Sequence, residues 1–190
     1  MSLNNSRIAA QLREAHTKKI IIKFSRPYED GTFTGYVLDV GAKFFLLAML
    51  DDGFQFEQHT CLRIADVRNL EAPAKNESFY KAARKLRKDK MPAKIEVDLT
   101  TSATILRTLH PSVVTVHREM VSPDTCVIGR TINDNNIDFE ILEIGPDAKW
   151  NSEPSYYRLN QITRVDLPGP YEKALLLVSG EPKFKPGTFE

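Results

Sequence analysis

One succession of helices, short apolar segments and turns occurs twice along this chain of 190 residues. Gly129 falls 94 positions after Gly35, and Val114 falls 94 positions after Ile20. About seven elements correspond in the same order, which is hard to obtain by chance. The sequence therefore predicts a small unit that has been duplicated within the chain.

Each predicted unit begins with a helix and continues with five short strands. In the first unit, the apolar residues of segment 6–16 recur at helical spacing, and residues 51–53 form the clearest hairpin turn. Gly35 stands in the middle of the second predicted strand, where a glycine marks a bend or a bulge. Short strands joined by tight turns after a helix are typical of a small closed barrel.

Residues 35–40, with their mid-strand glycine, and the apolar residues 44–47 are similar to the first Sm motif. The first unit therefore resembles the Sm-like fold, one of the SH3-like small β-barrels. Residues 63–67 stand where the second Sm motif would lie, but Ala65 and Asn160 replace the glycine that lets the family's backbone approach a base. This departure counts against the family's uridine pocket. The resemblance implies a five-stranded barrel whose edges pair between the subunits of a ring.

The sequence thus predicts a mainly β protein with flanking α-helices, built from two tandem five-stranded Sm-like or SH3-like barrels. Within the segment between the barrels, the alternation of Ile95, Val97 and Leu99 predicts a strand over residues 93–99. The expected domains are a first barrel with its helix in residues 1–76, a basic helical connector in 77–100, a second barrel with its helix in 101–180, and a C-terminal tail in 181–190.

The composition is that of an ordinary globular protein, with 42% hydrophobic and 27% charged residues. A net charge of +1 argues against a general polyanion binder, but residues 1–95 carry a net +6 and residues 96–190 a net −5. This asymmetry suits a basic half that meets an acidic partner, opposite halves that meet in an oligomer, or simple drift in surface charge. Because no apolar run approaches the roughly 20 residues that cross a bilayer, and no signal peptide is recognisable, we expect a cytoplasmic protein without membrane contact.

No segment carries the motif of a known catalytic or metal site. There is no phosphate-binding glycine loop and no nucleophile elbow, and the histidines lack partners at metal-ligand spacing. We therefore expect no enzymatic activity, no cofactor and no metal, although the sequence leaves open a hydrolase with paired carboxylates. Cys61 and Cys126 lie in apolar stretches and are predicted to be buried, reduced thiols. The four histidines are His16, His59, His110 and His117.

The densest positive charge lies in the predicted connector helix. There Phe79, Tyr80 and Leu86 would face a barrel while the cations face outward, either to contact phosphates or to form the solvated face of a packed helix. Trp150, in a polar loop, is predicted to be exposed, as an anchor for a partner or as a side chain folded over the end of the barrel. The cations are Lys81, Arg84, Lys85, Arg87, Lys88 and Lys90.

These features favour a non-enzymatic binding or assembly protein whose partner is RNA or another protein. The alternative is a self-assembling structural protein, or a protein–protein interaction module, with no role for nucleic acid. In both cases we expect a homo-oligomer, because barrel edges offer unpaired strands and most oligomers are symmetric copies of one chain.

Overall fold

The computed structural model describes residues 3–182, which form four helices and ten strands. Single-turn 3-10 helices at Ile64–Asp66 and Leu159–Gln161 follow the fourth and ninth strands. The helices and strands are α1 (Leu3–Lys18), β1 (Ile21–Ser25), β2 (Thr32–Val40), β3 (Phe44–Leu50), β4 (Phe56–Arg63), β5 (Arg68–Glu71), α2 (Glu77–Arg87), α3 (Ser102–Leu109), β6 (Val113–His117), β7 (Cys126–Asp134), β8 (Asp138–Glu143), β9 (Ser155–Arg158), β10 (Arg164–Asp166) and α4 (Pro170–Ser179).

All ten strands belong to one antiparallel sheet, in the order β5-β1-β2-β3-β4-β10-β6-β7-β8-β9. The sheet is not closed into a barrel. The predicted fold of two tandem five-stranded barrels, Sm-like or SH3-like, is therefore wrong, and a duplicated barrel is not supported. The physical reason is that β4 meets its hydrogen-bonding needs with β10, from the other half of the chain, which makes the sheet continuous.

Within this sheet, β1–β5 and β6–β10 each follow the same order, with the fifth strand of each group next to its first. The glycines in the middle of β2 and β7 lie where the neighbouring strand comes close. A Cβ atom on Gly35 would collide with the carbonyl oxygen of Ala48, and one on Gly129 with that of Leu142. The strand register shifts shortly after each glycine, so the predicted irregularity in β2 is confirmed.

Helix α1 covers one face of the first half of the sheet. Ile8, Leu12 and Ala15 lie on one side of the helix and are buried against a cluster that includes Phe24 and Phe45. This spacing of apolar residues is what places one side of a helix on a core. The helix predicted at residues 6–16 is confirmed and is slightly longer at both ends.

The other core cluster joins the two halves of the chain. Ile105 and Leu106 of α3 are buried in it, and Ile95 and Val97 of the connecting segment pack against it. Residues 93–99 do not form the predicted strand. Their alternation reflects one side that faces the core, with Ile95, Val97 and Leu99 on that side. One backbone hydrogen bond ties the segment to β3, since the Phe44 N–H donates to the Leu99 carbonyl over 3.3 Å.

Among residues 3–182, no helix is long and apolar enough to span a membrane. The predicted C-terminal tail lies outside the described residues from position 183 onward.

Candidate functional site

The junction between β4 and β10 is the place where the two halves of the sheet meet. Cys61 pairs with Val165 and Thr60 with Asp166 in an antiparallel register. The ladder continues past β10, since the Leu167 N–H donates to the His59 carbonyl over 3.0 Å. The junction is thus a backbone interface between two edge strands that come from distant parts of the chain.

A buried carboxylate fixes the side chains at this junction. Asp166 accepts hydrogen bonds from Thr60 Oγ1, from Arg164 Nε at 2.7 Å and from His117 Nε2 at 3.0 Å. Burial alone would raise the pKa of Asp166, but the hydrogen bonds and charges of His117 and Arg164 outweigh it and lower this pKa to about 2. Asp166 is therefore an ionised group that holds three strands together.

A second buried ion pair, Arg26–Glu119, also joins the two halves of the chain. We call the β4–β10 junction, together with the side chains of Asp166, Arg26 and Glu119, the seam. Arg26, in the turn after β1, donates both terminal nitrogens to Glu119, and Thr163 donates its hydroxyl to the same carboxylate. Burial would raise the pKa of Glu119, yet the hydrogen bonds of Arg26 and Thr163 keep it below its ordinary value. Because both terminal nitrogens of Arg26 bind one carboxylate, the pair fixes the orientation of the two halves of the chain at this point.

The outer edges of the sheet are formed by β5 and β9. Among the strands of residues 3–182, each pairs with one strand only, β5 with β1 and β9 with β8. Tyr156 in the middle of β9 is 65% exposed. In β5, Leu70 is half-buried and lies within a register irregularity against β1, between Arg68 and Glu71. These two edges present unpaired backbone groups, which are the usual templates for strand addition.

The two free edges correspond in position to the two strands of the internal junction. Strands β4 and β9 each precede a 3-10 helix, and β5 and β10 each follow one. Counted from those 3-10 helices, Ser155 and Tyr156 take the places of Thr60 and Cys61. Leu70 and Glu71 likewise take the places of Val165 and Asp166.

The predicted basic strip on α2 is only partly available to a partner. Arg84 is buried and donates to the Phe54 and Lys90 carbonyls, Arg87 donates to the Gly53 carbonyl and to Asp89, and Lys81 pairs with Glu77. Among the residues that the structure describes, no ion pair engages the three remaining exposed cations, Lys85, Lys88 and Lys90.

The orientation of α2 differs from the predicted one. Phe79 is 60% exposed and Leu86 85% exposed, while Tyr80 and Arg84 face inward. Tyr80 stacks on Phe54 with ring centroids 4.3 Å apart. The inner face therefore includes a cation, because Arg84 donates to the Phe54 carbonyl in the hairpin after β3 and to the Lys90 carbonyl beyond the end of α2.

Trp150 is half-buried rather than exposed, and its Nε1–H donates to the Gly180 carbonyl at the end of α4 over 3.0 Å. Of the two alternatives for this residue, the geometry matches a side chain folded back onto the protein.

The two cysteines are predicted to be buried, and the structure agrees for one of them. Cys61 is buried, whereas Cys126 is exposed; both are free thiols.

The histidines all make structural hydrogen bonds. His16, His59 and His110 contact backbone carbonyls, and His117 contacts Asp166. Within residues 3–182, no three potential ligands of the His, Cys, Asp or Glu type come together in a metal-binding arrangement.

The sequence did not single out the residues of the seam, Arg26, Glu119 and Asp166. The available signal was a charged residue inside or beside an apolar strand, as where Asp166 stands between Val165 and Leu167. A buried carboxylate needs a partner, but its partner cannot be identified until the strand order is known.

No protein-family model matches this chain, and no curated protein or solved structure matches it either. The resemblance to the Sm-like family stays a prediction.

Proposed function

We propose that this chain is a non-enzymatic assembly protein that associates head to tail with further copies of itself through the two free edges of its sheet. The observation that carries the proposal is the β4–β10 junction, where the chain already pairs two such edges internally. Because β9 corresponds to β4 and β5 to β10, the same kind of junction can form between copies. A heterologous contact of this kind builds a ring if the rotation closes and a filament if it does not.

The internal junction also suggests the register between copies. Val165 pairs with Cys61 and Asp166 with Thr60, so Leu70 would pair with Tyr156 and Glu71 with Ser155. The half-buried Leu70 and the exposed Tyr156 would then shield each other from water. The Ser155 hydroxyl can donate to Glu71 as Thr60 does to Asp166.

Light scattering coupled to size-exclusion chromatography tests the proposal. The wild-type chain is expected to form a species larger than the monomer, and Leu70→Lys and Tyr156→Lys are each expected to reduce it, since a charge on an edge strand opposes pairing. Leu177→Lys is the matched control, because Leu177 is exposed on α4 and belongs to neither edge strand. A strictly monomeric wild-type chain at high concentration would contradict the proposal.

Binding of RNA through α2 is the other function that the sequence suggests. It has weaker support, because Lys81, Arg84 and Arg87 already have partners within the protein. The free ammonium groups of Lys85, Lys88 and Lys90 are what remains to contact phosphates.

A further inference from the structure

A cleft of about 490 Å³ opens where β4, the connecting segment, the end of α3 and the start of α4 meet. Its apolar walls include Ile95, Leu109 and Leu167, the last two of which are buried. This volume lies in the range of roughly 300–1,000 Å³ that is usual for small-molecule sites. The cleft is distinct from both free edges of the sheet, so its role does not depend on assembly.

Two neighbouring rings form one side of the cleft. Phe56 is 40% exposed, and its ring centroid lies 4.8 Å from that of His59, with the two ring planes inclined by 59°. The imidazole is held in place, since its Nε2 donates to the Ala93 carbonyl over 2.9 Å. Burial lowers the pKa of His59; the hydrogen bond to Ala93 raises it by less than burial lowers it, and the charge of Lys173 lowers it slightly further. This side of the cleft is therefore an aromatic pair that is uncharged near neutral pH.

One cation lines the same cleft as this aromatic pair. Lys173, in the first turns of α4, is exposed and lines the cleft, and no ion pair engages it among residues 3–182. Two carboxylates, Glu57 and Glu96, also line the cleft. Glu57 lines a second pocket as well, together with Asp51 and Arg164, and Glu96 is 91% exposed beside Lys94.

We propose that this cleft binds a small planar aromatic anion, with its ring against Phe56 and His59 and its anionic group at the ammonium of Lys173. The apolar walls favour the ring by burying its surface. The unpaired ammonium favours a carboxylate, sulfonate or phosphate on that ring over a neutral or cationic one. Both halves of the chain and the connecting segment contribute to the site, so the folded chain presents it complete.

Two fluorescent probes of nearly the same shape separate the ring from the charge. 8-Anilinonaphthalene-1-sulfonate carries the anionic group, and N-phenyl-1-naphthylamine lacks it. Titrated into the full chain, the sulfonate probe is expected to saturate at one site per chain. Lys173→Gln is expected to lower the affinity for the sulfonate probe about fivefold, the size expected for a partly exposed ion pair, and to leave the affinity for the neutral probe almost unchanged.

Further variants make the result specific to this cleft. Phe56→Ala is expected to weaken the binding of both probes, and Lys173→Arg to retain the preference for the anion. Lys18→Gln, at the end of α1 and not among the residues that line the cleft, is expected to change the binding of neither probe. Circular dichroism and thermal unfolding establish that each variant is folded. The proposal is overturned if the sulfonate probe does not saturate, if Lys173→Gln leaves its affinity unchanged or weakens both probes equally, or if Phe56→Ala has no effect.

Discussion

His117 and Asp166 face each other from adjacent strands, with the Nε2 atom of the imidazole 3.0 Å from the Oδ2 atom of the carboxylate. The same carboxylate accepts from Thr60 on β4, so one buried charge connects β6, β10 and β4. Strand pairing alone would leave the two halves free to slide by two residues. The Asp166 carboxylate makes any other register leave a buried charge unpaired, which is strongly unfavourable.

Acid is therefore expected to weaken the seam. The folded state lowers the pKa of Asp166 from 3.8 to about 2, so this group contributes about 2 kcal/mol of stability that is fully present above pH 3.8 and lost as the pH falls towards 2. Urea unfolding at a series of pH values measures this loss. Asp166→Asn is expected to be less stable at neutral pH and to lack this part of the pH dependence; parallel curves for the two proteins would contradict the assignment.

The Arg26–Glu119 pair is expected to behave as a unit. Arg26→Met leaves the Glu119 carboxylate buried without its counter-charge and is expected to lower the free energy of unfolding by about 3 kcal/mol. The double variant Arg26→Met/Glu119→Leu removes both charges and is expected to recover most of that loss. Denaturant unfolding of these two variants, of Glu119→Leu alone and of the wild type forms a double-mutant cycle. A double variant whose loss equals the sum of the two single losses would show that the pair is not coupled.

A side chain at Gly35 is expected to be poorly tolerated. A Cβ atom there meets the backbone carbonyl of Ala48, which cannot move without disturbing the β2–β3 ladder. Gly35→Ala is expected to destabilise the protein by about 2 kcal/mol. Gly31→Ala is the matched control, because no atom lies within 4 Å of its Cβ position, and it should change stability by less than about 0.5 kcal/mol. Thermal unfolding of both variants makes the comparison, and equal effects would refute the steric explanation.

The local elements could be predicted from the sequence, whereas their partners in space could not. Apolar spacing predicts α1, and the position of Gly35 predicts an irregularity in β2. No local pattern indicates that β4 pairs with β10, because strand pairing depends on which edges are left open once the chain has folded. The sequence pattern predicts that β4 closes a barrel within its own half of the chain. In the structure β4 instead pairs with β10, about 100 residues further along.

The candidate site shows the same limit at the level of side chains. Helical periodicity places Leu86 on the inner face of α2 and Arg84 on the outer face, and the structure has them the other way round. The deciding contacts are the carbonyls of Phe54 and Lys90, which accept from Arg84. Carbonyl acceptors belong to the backbone of every residue, so no sequence pattern marks them in advance.

The cations of α2 are therefore expected to divide into two classes. Arg84→Gln loses charged hydrogen bonds to two carbonyls and is expected to lower the free energy of unfolding by about 2 kcal/mol. Lys85→Glu and Lys88→Glu should change stability by less than about 0.5 kcal/mol. Chemical denaturation measures these differences, and an Arg84→Gln variant as stable as the wild type would contradict the contacts.

The same variants test RNA binding. Retention on single-stranded RNA that weakens with salt and is lost in the Lys85→Glu/Lys88→Glu double variant would support an RNA partner. No retention at low salt contradicts it.

Head-to-tail pairing of the sheet edges makes one prediction that no other mode of association shares. A chain with Leu70→Lys has a blocked β5 edge but an open β9 edge, and a chain with Tyr156→Lys has the reverse. In a solution of either variant alone, the β9 edge of one molecule cannot pair with the β5 edge of another, because one of the two edges is always blocked. Mixed together, the open β9 of the first pairs with the open β5 of the second, and the remaining two edges are both blocked.

The mixture is therefore expected to yield a one-to-one heterodimer and nothing larger. Sedimentation velocity with one variant carrying a dye measures this directly. The Leu177→Lys chain, labelled and mixed in the same way, keeps both edges open and should enter the wild-type assembly. If β9 instead paired with β9 of a second copy, Leu70→Lys would still self-associate and mixing would add no new species, and either result would rule out head-to-tail assembly.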